Sequence, residues 1–353
     1  MNWGMRVCRL YRNRFGRKMK VIMLLLSVIF CLEVNVTSAQ NKKPEDFGFR
    51  HLKMRYQKDT VDILILSKKG EEQKVKPVFL FLQGSLPTPL VILGENGRPY
   101  RVFPFKADSM LDDYHLAIIS KPGVPLVMEK AKLQPNYTYL DPVTKAFPKK
   151  FIINDNLDHY VERDAVVIKY LKKQKWVAKN RFVIAGHSAG SAIAAKLAMV
   201  SKNVTHLIYS GGDPMGRLAT EVENIREDTT AKSNELEEEF TYWQKVVNDP
   251  ENTTTKTGDS NKTNYSFSIP PIEYLKKLKI PVLVTFGTKD YGAPFNNFLR
   301  LEMIRLKKTN FTYNAYFGLE HNFFGFNKNG PVNYDVYNWD KVGLDWKHWL
   351  EKH

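Results

Sequence analysis

A chain of 353 residues, 43% hydrophobic and 25% charged, has the composition of an ordinary globular protein and room for one large α/β domain with a sizeable core. Of its formal net charge of +16, residues 1–39 hold seven cations against Glu33. The remaining lysines are scattered, with no long basic tract after residue 20, which reads as a solvated surface and not as a nucleic-acid footprint. Both cysteines, Cys8 and Cys31, fall in that leader, so residues 40–353 offer no disulfide framework, thiolate metal site or cysteine nucleophile.

Residues 1–20 are basic, Val21 to Leu32 are apolar, and small residues at Thr37 and Ala39 suit signal peptidase. The pattern predicts a signal peptide over 1–39, with Met19 as an alternative start. The expected location is therefore exported, periplasmic or secreted, with an uncleaved leader acting as a membrane anchor the alternative. No stable membrane insertion is expected after cleavage. Phe49 to Ser67 reads as the opening strands, and Pro77 to Leu82 as a central strand ending in Gln83-Gly84-Ser85. A short helix is predicted over Ala107 to Asp113, then a strand over His115 to Ser120 and a helix over Asp158 to Gln174.

The stretch Phe182-Val183-Ile184-Ala185 is a buried strand that stops at Gly186. After Gly190 the chain is rich in good helix formers. Strand, tight turn and helix with Ser188 at the apex is the sequence form of a nucleophile elbow, Gly-x-Ser-x-Gly. A side chain at 186 or 190 would collide with the neighbouring strand or helix, and the turn lifts the Ser188 hydroxyl to a helix N-terminus, where an anion is favoured. Further strands are predicted at Val204 to Ser210, Pro281 to Phe286 and Phe311 to Phe317, with helices over Pro294 to Lys307 and Asp340 to Lys352. Between Asp213 and Ile280 no strand is evident. Residues 214–279 read as a helical lid insertion, with a helix carrying Leu236, Phe240, Trp243 and Val247 on one face and a polar, mobile stretch over 248–268. The organisation is then 40–213 as the first part of the core, 214–279 as the insertion and 280–353 as the second part. The sheet should be doubly wound and mostly parallel, with an antiparallel start.

A serine hydroxyl is a weak nucleophile near neutral pH and needs a base, which itself needs an orienting partner. After an elbow serine the partners follow in the order acid, then histidine. His206 lies in a predicted strand, His348 and His353 in or after the last helix, and His187 in the elbow itself. His321, in the loop after the last strand, is the expected base, with an apparent pKa near about 6 to 7. Two aspartates sit just past strand ends. Asp290 is the expected acid and Asp213 the alternative. The tetrahedral intermediate needs two backbone N–H donors, expected from Ala189 and from Ser85 or its neighbour Leu86. No Gly-rich nucleotide loop, no His-Glu-x-x-His and no metal cluster is present in the sequence, so no cofactor and no metal are expected. Asn-x-Ser/Thr sequons occur at Asn136, Asn203, Asn252, Asn261, Asn264 and Asn310.

Over roughly 60–353 the chain resembles the α/β-hydrolase superfamily, through Gly186-His187-Ser188-Ala189-Gly190, Phe81-Leu82-Gln83-Gly84-Ser85, Gly287-Thr288-Lys289-Asp290 and Glu320-His321. It looks most like exported bacterial esterases and peptidase-like members, with Gln-Gly-Ser where others have His-Gly. The resemblance implies two-step acyl transfer through an acyl-enzyme on Ser188. The expected substrate is a small-molecule carboxylic ester, with thioester or amide chemistry within the same reading. A serine peptidase or aminopeptidase acting on short peptides is the alternative, and a catalytically silent binding protein the alternative of another class. The acidic insertion suits a basic or amine-bearing substrate.

Overall fold

The computed structural model describes residues 42–353 apart from 101 and 329, and Pro44–His353 form one compact unit. The expected signal peptide lies outside the described residues. The chain opens with β1 (Phe49–Tyr56) and β2 (Asp59–Leu66), an antiparallel hairpin. Then come β3 (Lys76–Leu82), β4 (Val91–Leu93), β5 (His115–Ile119), β6 (Val127–Glu129), β7 (Val177–His187), β8 (His206–Ser210), β9 (Val282–Gly287) and β10 (Phe311–Tyr316). The hairpin of β11 (Phe324–Phe326) and β12 (Val332–Tyr337) and a closing helix, Trp339–Lys352, complete it. The main sheet has eight strands in the order β1-β2-β5-β3-β7-β8-β9-β10, parallel from β5 to β10.

The parallel strands are continuous apolar runs because both faces are covered. Side chains alternate across a strand, so Val78, Leu80 and Leu82 pack with Phe182 and Ile184 on one face. There they meet the helices Leu157–Lys172 and Ala189–Val200. Phe79, Phe81, Val183 and Leu283 point the other way, into a cluster with Phe103, Phe105, Trp339 and Trp346. The chain leaves β3 for β5 on one side and then crosses to β7 on the other. Such a switch point opens a crevice at the carboxyl ends of the strands, where open α/β sheets bind their ligands.

Three expectations are corrected. The short helix over Ala107 to Asp113 is a single 3-10 turn, Ala107–Ser109, pinned between Phe105 and Met110, which are buried on either side of it. In the helix Glu235–Asn248 the packed positions are Leu236, Trp243 and Val246, whereas Phe240 and Val247 face solvent. The polar stretch 248–268 carries a helix, Asn261–Phe267, capped by Ser260, whose hydroxyl accepts from the Thr263 N–H at 3.1 Å. Polar contacts hold it: Thr263 Oγ1 donates to the Asp155 carbonyl at 2.7 Å, and the Leu157 N–H donates to Ser266 Oγ at 3.1 Å. Such anchoring leaves no apolar periodicity to read.

Candidate active site

β7 ends at His187, and Ser188 takes φ 57° and ψ −130° before the helix Ala189–Val200 begins. This left-handed conformation is strained for any residue with a side chain and persists only where surroundings enforce it. Here the Ser188 N–H donates to the Ser210 carbonyl at 3.1 Å, and Ser191 Oγ donates to the Ser188 carbonyl at 2.6 Å. The elbow glycines have no room for a side chain. A Cβ at Gly186 would stand 2.0 Å from the Gly190 carbonyl oxygen, and one at Gly190 would stand 2.2 Å from that of Leu82. The loop after β3 lies against the serine, since a Cβ on Gly84 would meet Ser188 Cβ at 3.5 Å. The next residue, Ser85, lines the same cleft as Ser188 and Ala189. Among the described residues neither the Ser85 nor the Ala189 N–H donates a hydrogen bond, so both remain available to an oxyanion.

His321 sits in the turn between β10 and β11 and faces the same cleft. Its Nδ1 donates to Asp290 Oδ2 at 2.9 Å, and the buried Asp290 also accepts the Gly292 N–H at 3.1 Å. Of the two candidate acids Asp290 therefore holds the imidazole. Asp213 lines the cleft and instead accepts from Thr220 Oγ1 at 2.8 Å. Among the described residues no hydrogen bond joins the Ser188 hydroxyl to the imidazole.

Burial opposes a charge on His321, but the bond to Asp290 and the charges of Asp290, Asp213 and Glu320 outweigh it, and its pKa is raised to about 9. That lies above the 6 to 7 expected from the sequence, chiefly through the hydrogen bond to and the charge of Asp290, with Asp213 and Glu320 adding to them. Burial acts to raise the Asp290 pKa, yet the hydrogen bond and charge of His321 prevail and hold it below the ordinary carboxylate value. Asp213 is pushed up to about 6, by burial first and then by Asp290, against its Thr220 bond and His321.

His187 is buried and its pKa is lowered to about 3, by burial first and then by His321. It is neutral and braces the site. An amide oxygen can only accept, so His187 Nε2–H donates to Asn322 Oδ1 at 3.2 Å, leaving Nδ1 to accept from Ser210 Oγ at 3.2 Å. Its ring lies 5.0 Å from that of His321 and 4.7 Å from that of Trp339. Asn322 is a contributor that the sequence pattern did not single out.

The cleft has a volume of about 330 Å³. Segment 214–279 supplies one wall, through Arg217, Thr220, Glu221, Asp259 and Phe267, none of which was a candidate site residue in the sequence. Arg217 is paired with Asp259. Glu221 has no hydrogen bond or ion pair among the described residues, so the wall is net acidic.

Eight strands in this order, with the elbow after the central β7 and the histidine after the last parallel strand, form a known arrangement. The chain has the α/β-hydrolase fold. Solved structures support it. The α/β-hydrolase GrgF from Penicillium sp. sh18 superposes with a TM-score of 0.54 at 11% identity, over 86% of this chain and 98% of that one. The acylaminoacyl peptidase of Pyrococcus horikoshii does so with a TM-score of 0.51 at 14% identity, over 86% of this chain. The present chain spans 41% of that peptidase's length. No protein-family model matches the sequence, and no curated protein matches it.

Proposed function

We propose that this α/β-hydrolase-fold chain is a serine hydrolase that cleaves a small carboxylic ester through an acyl-enzyme on Ser188. The observation that carries the reading is Ser188 strained at an elbow in one cleft with an Asp290-held His321. Ser188 Oγ attacks the carbonyl carbon while its proton passes to His321 Nε2. The Ser85 and Ala189 N–H groups receive the oxyanion, and the imidazolium returns the proton to the leaving alkoxide. Water, deprotonated by the same nitrogen, then releases the acid. Asp290 keeps Nε2 directed into the cleft and offsets the imidazolium charge.

A second reading, a serine peptidase acting on short peptides, is favoured by the acidic wall: Glu221 and Asp213 suit a free ammonium group. In either case 214–279 acts as a lid that filters substrates by size and charge. A fluorophosphonate probe tests the chemistry. Wild type should label, and Ser188→Ala and His321→Ala should not. An unlabelled wild type would leave a non-catalytic binding protein as the better account. A panel of p-nitrophenyl esters beside aminoacyl and prolyl amides then separates esterase from peptidase.

A further inference from the structure

In the run Phe81-Leu82-Gln83-Gly84-Ser85, Gln83 is the polar side chain to which the proposed chemistry gives no part. It is half-buried, just past the end of β3 and shortly before the Ser85 N–H. Its Nε2 donates to the Ile119 carbonyl at 2.8 Å. A carbonyl oxygen can only accept, so the amide nitrogen of Gln83, and not its oxygen, faces it. Backbone pairing of β3 with β5 stops at Phe81 and Ile118, and the Gln83 side chain carries the cross-strand bonding a step further.

The acceptor end of this bond is firmly held. Ile119 is buried, and the following carbonyl, that of Ser120, accepts Arg163 Nη1 at 3.1 Å. Arg163 is in turn fixed by Asp164, 2.7 Å from its Nε, with both residues buried on the helix Leu157–Lys172. On its other side the loop leans on the elbow, since a Cβ at Gly190 would stand 2.6 Å from the Gln83 carbonyl oxygen. Beyond Gln83 this support ends. Among the described residues neither Gly84 nor Ser85 makes a hydrogen bond, and the Thr88 N–H donates to the Leu86 carbonyl within the loop itself. The Gln83 amide is therefore the nearest hydrogen-bonded tie between the Ser85 N–H and the sheet.

An N–H group stabilises an oxyanion only where it already points at it, and about 1 Å of misplacement costs roughly a hundredfold in rate. On the acyl-enzyme reading given under Proposed function, we propose that Gln83 is a positioning residue for the oxyanion donor Ser85. Its bond to Ile119 sets the direction in which the loop presents the Ser85 N–H to the substrate's carbonyl oxygen.

A thionoester differs from its ester at the one atom the loop serves. Sulfur forms a longer bond to carbon and accepts hydrogen bonds weakly, so its reaction draws little from aligned N–H donors. The test measures kcat/KM of the full chain for the p-nitrophenyl ester it cleaves fastest and for the matching thionoester. Gln83→Met keeps the length of the side chain and removes the donor. It should lower kcat/KM for the ester by more than about tenfold and for the thionoester by less than about threefold. Equal falls for the two substrates would make Gln83 a support of the fold alone and overturn the proposal, as would an unchanged ester rate. If Gln83→Met does not fold, Gln83→Glu, which sets a carboxylate against the same carbonyl, should narrow the ester-to-thionoester ratio in the same way; an unchanged ratio overturns the proposal equally. A wild type that fluorophosphonate does not label sinks the serine-hydrolase reading and this role with it. A labelled, active wild type beside an unaffected Gln83→Met sinks the role of Gln83 alone.

Discussion

At the scale of single residues the decisive feature is that His321 feels carboxylates beyond the Asp290 it touches. Asp290 touches the imidazole and Asp213 does not, yet both favour its protonated form. A general base must be neutral to accept a proton, so activity is lost on the acid side of its pKa. The raised value of about 9 implies that kcat/KM climbs with pH through the neutral and into the alkaline range. Asp213→Asn should move this limb down toward the ordinary imidazole value while fluorophosphonate labelling persists. An unmoved limb would remove Asp213 from the electrostatics of the site. The same variant reports on stability. A carboxyl whose folded pKa is raised to about 6 binds its proton more tightly in the native state. Stability is therefore lost as pH rises from near 4 through 6 and stays lower above. Asparagine keeps an oxygen for Thr220 and removes the charge. It should raise stability by roughly 1–2 kcal/mol at pH 7.5 and by little at pH 4, measured by urea unfolding at both values.

At the scale of elements, the elbow and the loop after β3 behave differently under substitution. Gly186→Ala or Gly190→Ala drives a Cβ into backbone oxygen, which nothing flexible can relieve. Either should cost more than about 3 kcal/mol and abolish labelling together with folded yield. A Cβ at Gly84 meets the serine at an ordinary contact distance of 3.5 Å. Gly84→Ala should leave the Tm nearly unchanged and lower kcat/KM by more than about tenfold, through crowding of the reacting atoms. The helix Asn261–Phe267 makes a separate case. Thr263→Val removes the hydroxyl that satisfies the Asp155 carbonyl, and should cost about 1–2 kcal/mol in unfolding free energy. A neutral result would mean that another group satisfies that carbonyl.

At the scale of the whole molecule, charge is unevenly placed. The chain carries a net +16, while the cleft lining holds Asp213, Glu221, Asp259 and Asp290 against Arg217 and His321. A local acidic field on a basic body attracts cations only over short range, because salt at about 0.15 M screens exposed charges beyond about 8 Å. A choline ester should therefore exceed its neutral tert-butyl analogue in kcat/KM at low ionic strength, and the ratio should shrink as salt is added. Equal rate constants for the two at low salt would rule out charge as a selector here.

Much of this was written in local sequence. The strand–glycine–serine–glycine–helix run, the apolar parallel strands, Asp290 and His321 past strand ends and Ser85 after β3 each follow from a short-range rule, since steric exclusion at a tight turn and burial on both sheet faces leave their mark within a few residues. The tertiary structure decided the rest. Only the register of β8 and β9 against β7 brings Asp290, rather than Asp213, onto the imidazole and still leaves Asp213 close enough to shift it. Only packing places Asn322 against His187, and turns Glu221 and Thr220 of a polar insertion into a cleft wall. Those outcomes depend on distances between segments far apart in the chain, and electrostatic coupling and polar anchoring leave no periodic trace in sequence.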